Sequence, residues 1–227
     1  MKIILGCEES QTVCIEMRKR GHEAYSCDIL PCSGGHSEWH LQMDVFDAIK
    51  LKKWDMGIFF PMCTYLTVTG NKWMKPEYEK RFPDRKKQRE DAVEFFMKLY
   101  NSDIDKIAIE NPIGIMSTRF RKPNQIIHPY YFGDPERKST CLWLKGLPKL
   151  KHTKIVEPEY YICKKGWRHS KFTANWDAKK KSVTFAGIAT AMANQWGTDV
   201  ENDDSQSVPT NELILTKKEK DLIKIIK

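Results

Sequence analysis

Short apolar runs alternate with helix-period segments through the first half of this chain, and that alternation leaves few architectures open. Lys2 to Leu5 reads as a strand, Thr12 to Arg20 as a helix with Val13 and Met17 facing inward, and Glu23 to Cys27 as a second strand closing at Asp28. Met43-Asp44-Val45 marks the end of a third strand, and Met56 to Phe60 forms a fourth. A helix from about Arg89 to Tyr100, carried by Ala92, Val93, Phe95, Phe96 and Leu99, returns the chain to a fifth strand over Ile104 to Ile109. Strands alternating with helices imply a mostly parallel sheet covered on both faces, so the expected class is α/β and Rossmann-like. Beyond Pro112 the pattern loosens: Cys141 to Leu144 reads as a strand, Lys145 to Ala178 is turn-rich, and Phe185 to Trp196 is helical. The expected organisation is one domain over 1–197, a polar linker over 198–211 and a short amphipathic helix over 212–227.

A chain of 227 residues can bury one sizeable core. No apolar run approaches the ~18–20 residues of a membrane span, and the N-terminus reads as a strand with no leader. Seven scattered cysteines, an odd number, fit a reducing compartment better than a disulfide framework, so a cytoplasmic location is expected. The net charge of +8 and pI near 9.0 favour a polyanionic partner. Much of the excess lies in Lys72 to Arg89, with Trp73, Tyr78 and Phe82, and in Lys145 to Lys181, with Tyr160, Tyr161, Trp167, Phe172 and Trp176. Interleaved cations and aromatics suit phosphates and exposed bases, although a solvated basic surface has the same composition.

Two of the strands deliver reactive groups. Pro61-Met62-Cys63 follows the fourth strand, and Glu110-Asn111-Pro112 follows the fifth. Functional groups of open α/β sheets gather beyond the carboxyl ends of the strands. A thiolate there can add to an electron-poor ring carbon while a carboxylic acid protonates the ring nitrogen that accumulates charge. That is the chemistry of cytosine-5 methylation. A small buried thiol and an ion-pair carboxylate are the structural alternatives for Cys63 and Glu110.

These residues resemble the DNA cytosine-5 methyltransferases. Pro61-Met62-Cys63 matches the family's Pro-Pro-Cys motif, and Glu110-Asn111-Pro112 its Glu-Asn-Val motif. The small phage-encoded members are more similar still, through Cys7 to Thr12, Gly21 to Glu38, Cys63 to Thr67, Glu110 to Thr118 and Thr140 to Gly146. The resemblance implies a Rossmann-like methyltransferase fold, with Cys63 as nucleophile, Glu110 as ring-nitrogen acid and Asn111 orienting the loop. It implies Arg137 at the substrate carbonyl oxygen, where a phosphate contact or a surface charge are the alternatives. It also implies host cytosol as the location.

S-adenosylmethionine is the implied cofactor. Asp28, at the end of the second strand, would take the ribose hydroxyls, and Asp44 the adenine amino group. Gly6 would admit the cofactor to the backbone, and Glu8, Ile29 and Pro61 complete the expected contacts. Asp28 as a turn residue and Asp44 as a helix cap are the alternatives. The family's glycine-rich first loop is replaced here by Gly6-Cys-Glu-Glu-Ser-Gln11. Cys27, Cys32, His36 and His40 have a zinc-like composition but not a familiar ligand spacing, and a loop bordering the cofactor is the preferred reading, with no metal.

The interval between Glu110 and Phe185 must also supply core strands, which leaves a reduced target-recognition region. The expected partner is DNA, single-stranded or read with relaxed sequence specificity. A modifier of free pyrimidine nucleotides and a catalytically silent nucleic-acid-binding protein stay open beside the methyltransferase.

Overall fold

Apolar residues at period two specify the central sheet. In the computed structural model, which describes residues 1–166, 168–170 and 182–198, the sheet strands are β1 (Lys2–Gly6), β2 (Glu23–Asp28), β3 (His40–Gln42), β4 (Met56–Phe59), β5 (Lys106–Pro112), β6 (Gln125–Ile127) and β7 (Thr140–Lys145). They lie in the order β3-β2-β1-β4-β5-β7-β6, and only β7 runs against the rest. This is the expected α/β class, with the strand order of the Rossmann-like methyltransferase fold. The chain leaves β1 toward β2 and later continues on its other side with β4, so the carboxyl edge between β1 and β4 is the topological switch point.

Alternate residues face different layers. Ile3, Leu5, Met56, Ile58, Ala108, Leu142 and Leu144 pack toward α1 (Thr12–Lys19) and the last described helix, which we number α5 (Ala186–Trp196), through Val13, Met17, Ile188, Met192 and Trp196. Ile4, Phe59, Ile107, Ile109 and Trp143 pack on the other face against Val45 and Ala48 of α2 (Val45–Lys50) and Phe96 and Leu99 of α3 (Arg85–Tyr100). Each fully buried side chain of this size contributes roughly 1.5–3 kcal/mol, so both layers are needed to hold the sheet. A one-turn helix, α4 (Met116–Arg119), follows β5.

Several boundaries differ from the sequence reading. α3 starts a turn before Arg89, at Arg85-Lys86-Lys87-Gln88, a turn with no apolar residue to reveal it. β5 continues through Glu110, Asn111 and Pro112, because antiparallel pairing with β7 extends to Pro112↔Thr140. Glu110 is therefore a strand residue rather than a turn residue. The three-residue strands β6, β8 (Tyr160–Ile162) and β9 (Arg168–Ser170) are too short for a periodic signal. Between β4 and α3 the chain folds into 3-10 turns over Val68–Met74 and Pro76–Tyr78. Trp167, Phe172, Trp176, most of the expected 198–211 linker and the whole 212–227 helix lie outside the described residues. Among the described residues no helix is long and apolar enough to cross a membrane.

Candidate active site

β4 and β5 are parallel neighbours in the register Phe59↔Ile109, so the residues after Phe59 and after Ile109 leave the same edge of the sheet. That register brings together the loop carrying Cys63 and the Glu110 carboxylate. Cys63 is exposed. The protein around its sulfur and the nearby Glu110 carboxylate push its thiol up, and Lys138 partly offsets them. Burial pushes Glu110 up too, against a smaller opposing effect of Lys138. The cause is visible in the cleft, where Glu110, Lys138 and Thr140 face Phe185, Ile188 and Met192 of the α5 region. Apolar walls disfavour a carboxylate more than one ammonium favours it, which keeps a proton on Glu110 to higher pH.

Lys138 was missed in the sequence, and Arg137 was named in its place. Arg137 is exposed, while Lys138 lines the cleft with Glu110 and acts on both Glu110 and Cys63. The phase of β7 held the signal. Leu142 stands opposite Glu110, and stepping back by twos gives Thr140 and Lys138, both of which line the cleft.

The two reactive loops are fastened to each other. Asn111 is 1 % exposed, and its Nδ2 donates to the Pro61 carbonyl at 2.9 Å. Past Cys63, Thr67 and Gly114 form an antiparallel bridge, Ile115 N–H donates to Leu66 at 2.8 Å and Val68 N–H to Ile113 at 3.2 Å. A Cβ on Gly114 would stand 2.0 Å from the Leu66 carbonyl oxygen, so only glycine lets these backbones approach. From the other side, Arg85 Nη2 donates to Thr64 O at 3.1 Å and Arg89 Nε to Tyr65 O at 3.0 Å. Asn111 thus ties the strand carrying Glu110 to the start of the Cys63 loop, and Pro61 is buried with its carbonyl engaged by Asn111.

At the switch point, Asp28 and Asp44 approach from β2 and the start of α2. Both act on Cys7, where burial, then Asp28, then Cys27 and Asp44 push the thiol well above its ordinary range. One oxygen of Asp28 accepts from Leu30 N–H at 2.9 Å, and one oxygen of Asp44 caps α2 through Phe46 N–H at 2.8 Å. The turn and cap roles are therefore real, yet each carboxylate keeps a second oxygen. Ile29, beside Asp28, is 73 % exposed, an apolar surface at a strand end. Two acceptors and an apolar face fit an adenosine moiety in their chemistry.

Two expected cofactor contacts have other roles. Gly6 faces the core: a Cβ there would meet the Phe59 ring at 2.5 Å and Val45 at 2.7 Å, and Gly57 underlies the same ring. The glycine serves ring packing. Glu8 is 4 % exposed and accepts from the Val13 and Cys14 N–H groups at 2.6 and 3.2 Å, filling the start of α1. Burial nevertheless holds its carboxyl up at about 8.

The loop from Ile29 to Trp39 folds against the first loop. Ser33 N–H donates to Glu9 O at 2.8 Å, and Gln11 exchanges hydrogen bonds with the His36 backbone at 2.8 and 3.0 Å. Gln11, fully buried at φ 60, holds this loop in place. His40 directs one ring nitrogen to Ser26 Oγ and the other to Leu30 O, each at 2.9 Å. Cys27 is buried against the Met43 carbonyl. Among the described residues no group of three or more His, Cys, Asp or Glu side chains is placed to hold a metal ion.

No protein-family model and no curated protein matches the chain. Solved structures resemble it in part, two methylases among them. The Dnmt2 methyltransferase of S. pombe matches with 16% identity and TM-score 0.39, over 66% of this chain and 50% of that one. An rRNA methylase from Escherichia coli matches with 13% identity and TM-score 0.33, over 63% and 56%. The chain thus spans about half the length of each, and its fold class rests on its own strand order.

Proposed function

We propose that the chain is an S-adenosylmethionine-dependent DNA cytosine-5 methyltransferase. The observation that carries this reading is the meeting of an exposed thiol, Cys63, with a carboxyl held protonated beyond its ordinary range, Glu110, at one sheet edge beside Lys138. A target cytosine extruded from its stack would enter the cleft between them. The Cys63 thiolate forms a bond to ring carbon 6. The displaced ring electrons are stabilised as Glu110 gives its proton to N3, and carbon 5 becomes the nucleophile. Lys138 favours the anionic form of Cys63 and faces the charge that develops on the ring.

S-adenosylmethionine, when bound, supplies the methyl group as an electrophile for carbon 5. Asp28 and Asp44 offer hydrogen-bond acceptors to its ribose and base, and Ile29 offers an apolar face. In that transfer the donor's sulfur would keep the carbon–sulfur electron pair and leave as a neutral thioether. Carbon 5 would then lose its proton to water, the ring double bond re-forming as the Cys63–carbon 6 bond breaks, and Glu110 would recover the N3 proton. Methylated ring and free thiolate result, so the step balances.

The test is incubation with isotopically labelled methyl donor and DNA, followed by nucleoside analysis. Labelled 5-methylcytosine from wild type and none from Cys63→Ala is the expected pair of results. Label found only on added free cytidine nucleotides, or none on any DNA, refutes the DNA reading.

A further inference from the structure

The segment between β4 and α3 takes no part in the chemistry above, yet it is tied to the nucleophile. Leu66 and Thr67 N–H both donate to the Cys63 carbonyl, at 3.0 and 3.1 Å, and Arg85 and Arg89 grip Thr64 and Tyr65. Outward from these ties lies a small lobe with an aromatic centre. Trp73 meets Tyr78 and Phe82 edge-on, with ring centroids 5.0 and 5.3 Å apart. Lys72 stands 4.3 Å from the Trp73 ring centroid and Arg81 5.2 Å from that of Phe82. A shallow depression beside them includes Lys75, Arg85 and Lys86 in its lining, and Arg85 Nε is buried there without a hydrogen-bond partner. Residues 72–89 hold eight Lys and Arg against three Asp and Glu, which is most of the chain's net +8.

Exposed apolar side chains also lie close to Cys63 along the chain and on the loop paired with it. Met62, Val68 and Ile113 are 66%, 51% and 43% exposed. Val68 and Ile113 are joined by their backbone bond, and Met62 adjoins Cys63. Exposed apolar and half-buried aromatic surface rimmed by cations suits a strand whose base faces are open and whose phosphates run along the edge. It suits a duplex less well: next to Cys63 the lobe consists of the 3-10 turns over Val68–Met74 and Pro76–Tyr78, which present neither a long helix nor a β-ribbon to a major groove, and α3 contributes only its first residues to the lobe.

We propose that the 64–89 lobe is the surface along which a single DNA strand is led into the Cys63 site. This rests on the DNA reading above and adds the surface and the strandedness. Exposed Lys72, Lys75, Arg81 and Lys87 contact phosphates, and Met62 and Val68 underlie the bases flanking the target.

Binding is measured without chemistry, by fluorescence anisotropy of a labelled single-stranded oligodeoxynucleotide of about 20 nucleotides on the full chain carrying Cys63→Ala. Replacing Lys72, Lys75, Arg81 and Lys87 by alanine should weaken binding at least tenfold. It should also lower the slope of log affinity against log salt by roughly 3, as for about four lost phosphate contacts to a single strand. Replacing Lys19, Lys50, Lys98 and Lys149, equally exposed but outside the lobe, should change neither by more than about a third of that. Met62→Ser with Val68→Ser should weaken binding and leave the salt slope unchanged. Equal losses in the two lysine-and-arginine sets, or tighter lobe-dependent binding of the duplex or of the matching RNA strand, overturn the proposal. If the strand binds through the lobe but wild type transfers no methyl group, the surface stands and the methyltransferase reading falls. If methyl transfer proceeds unaffected by the lobe variant, the reverse holds.

Discussion

Asn111 Nδ2 donates to the Pro61 carbonyl at 2.9 Å, and this buried bond joins the strand that carries Glu110 to the loop that carries Cys63. Breaking it leaves the Pro61 carbonyl unpaired in the interior, at a cost of about 1–3 kcal/mol. Asn111→Ala should lower the melting temperature and reduce methyl transfer by more than the lost stability explains. Thermal denaturation and kcat/KM measured well below the melting point separate the two effects.

Gly114 provides an independent check on that coupling. Gly114→Ala places a methyl group against the Leu66 carbonyl and must spread the two loops, typically costing about 1–3 kcal/mol. The variant should fold, since the contact is local, while covalent chemistry at Cys63 slows at least tenfold. Unchanged activity in a folded Gly114→Ala variant would show that the loop-to-loop bridge is dispensable.

The pH dependence follows from two raised groups with opposite requirements. The proposed mechanism requires Glu110 protonated and Cys63 ionised, and both hold their protons to higher pH than usual. As pH rises toward the Glu110 value, the rate climbs with the thiolate fraction. Between the two values the gain in thiolate is cancelled by loss of the Glu110 proton, giving a plateau, and above the Cys63 value the rate falls. Glu110→Gln has no proton to lose. Its profile of kcat/KM should therefore be lower throughout, show no plateau, and rise until Cys63 is ionised without falling afterward. A falling alkaline limb retained in Glu110→Gln would assign that limb to another group.

Lys138 and Arg137 can be told apart by thiol reactivity. Lys138 favours the Cys63 thiolate, so Lys138→Met should slow alkylation by iodoacetamide at mildly alkaline pH by roughly two- to tenfold, the range of a partly screened charge pair. Arg137→Ala should leave the alkylation rate within a factor of about two. Equal effects would mean that the cleft does not distinguish the neighbours.

The sequence carried most of this site because its parts lie in strongly periodic elements. Met56 to Phe59 and Lys106 to Pro112 are buried strands, and their ends place Cys63 and Glu110 without knowledge of long-range contacts. Asp28 and Asp44 were read as both local and ligand-facing, and their local bonds are present. What was illegible depends on packing between distant segments. Gly6 looked like a loop glycine, but Phe59 lies across it. Glu8 looked available, but its carboxylate closes the start of α1 five and six residues ahead. Lys138 and the grips of Arg85 and Arg89 lie in turns and in an all-polar helical turn, where no hydrophobic period fixes the direction of a side chain.

Asp28 and Glu8 should separate in binding experiments. Asp28→Ala should weaken methyl-donor binding by about 1–3 kcal/mol, as for a lost hydrogen bond to a charged group, with little change in melting temperature. Glu8→Gln presents an amide N–H₂ to one of two backbone donors and should lower the melting temperature instead. Calorimetric titration with the methyl donor and thermal denaturation of both variants give the comparison. Unchanged donor affinity in Asp28→Ala would remove that carboxylate from the site.

The central claim, a covalent bond between Cys63 and cytosine carbon 6, is most directly tested by trapping on single-stranded DNA containing 5-fluorocytosine. Fluorine replaces the proton that must leave carbon 5, so after methyl transfer the Cys63–carbon 6 bond cannot be released. Mass spectrometry of the denatured protein should find the methylated nucleotide joined to Cys63, only when S-adenosylmethionine is present, and nothing on Cys63→Ala. Donor-dependent methylation of ordinary cytosine in that DNA with no adduct at Cys63 would contradict the mechanism.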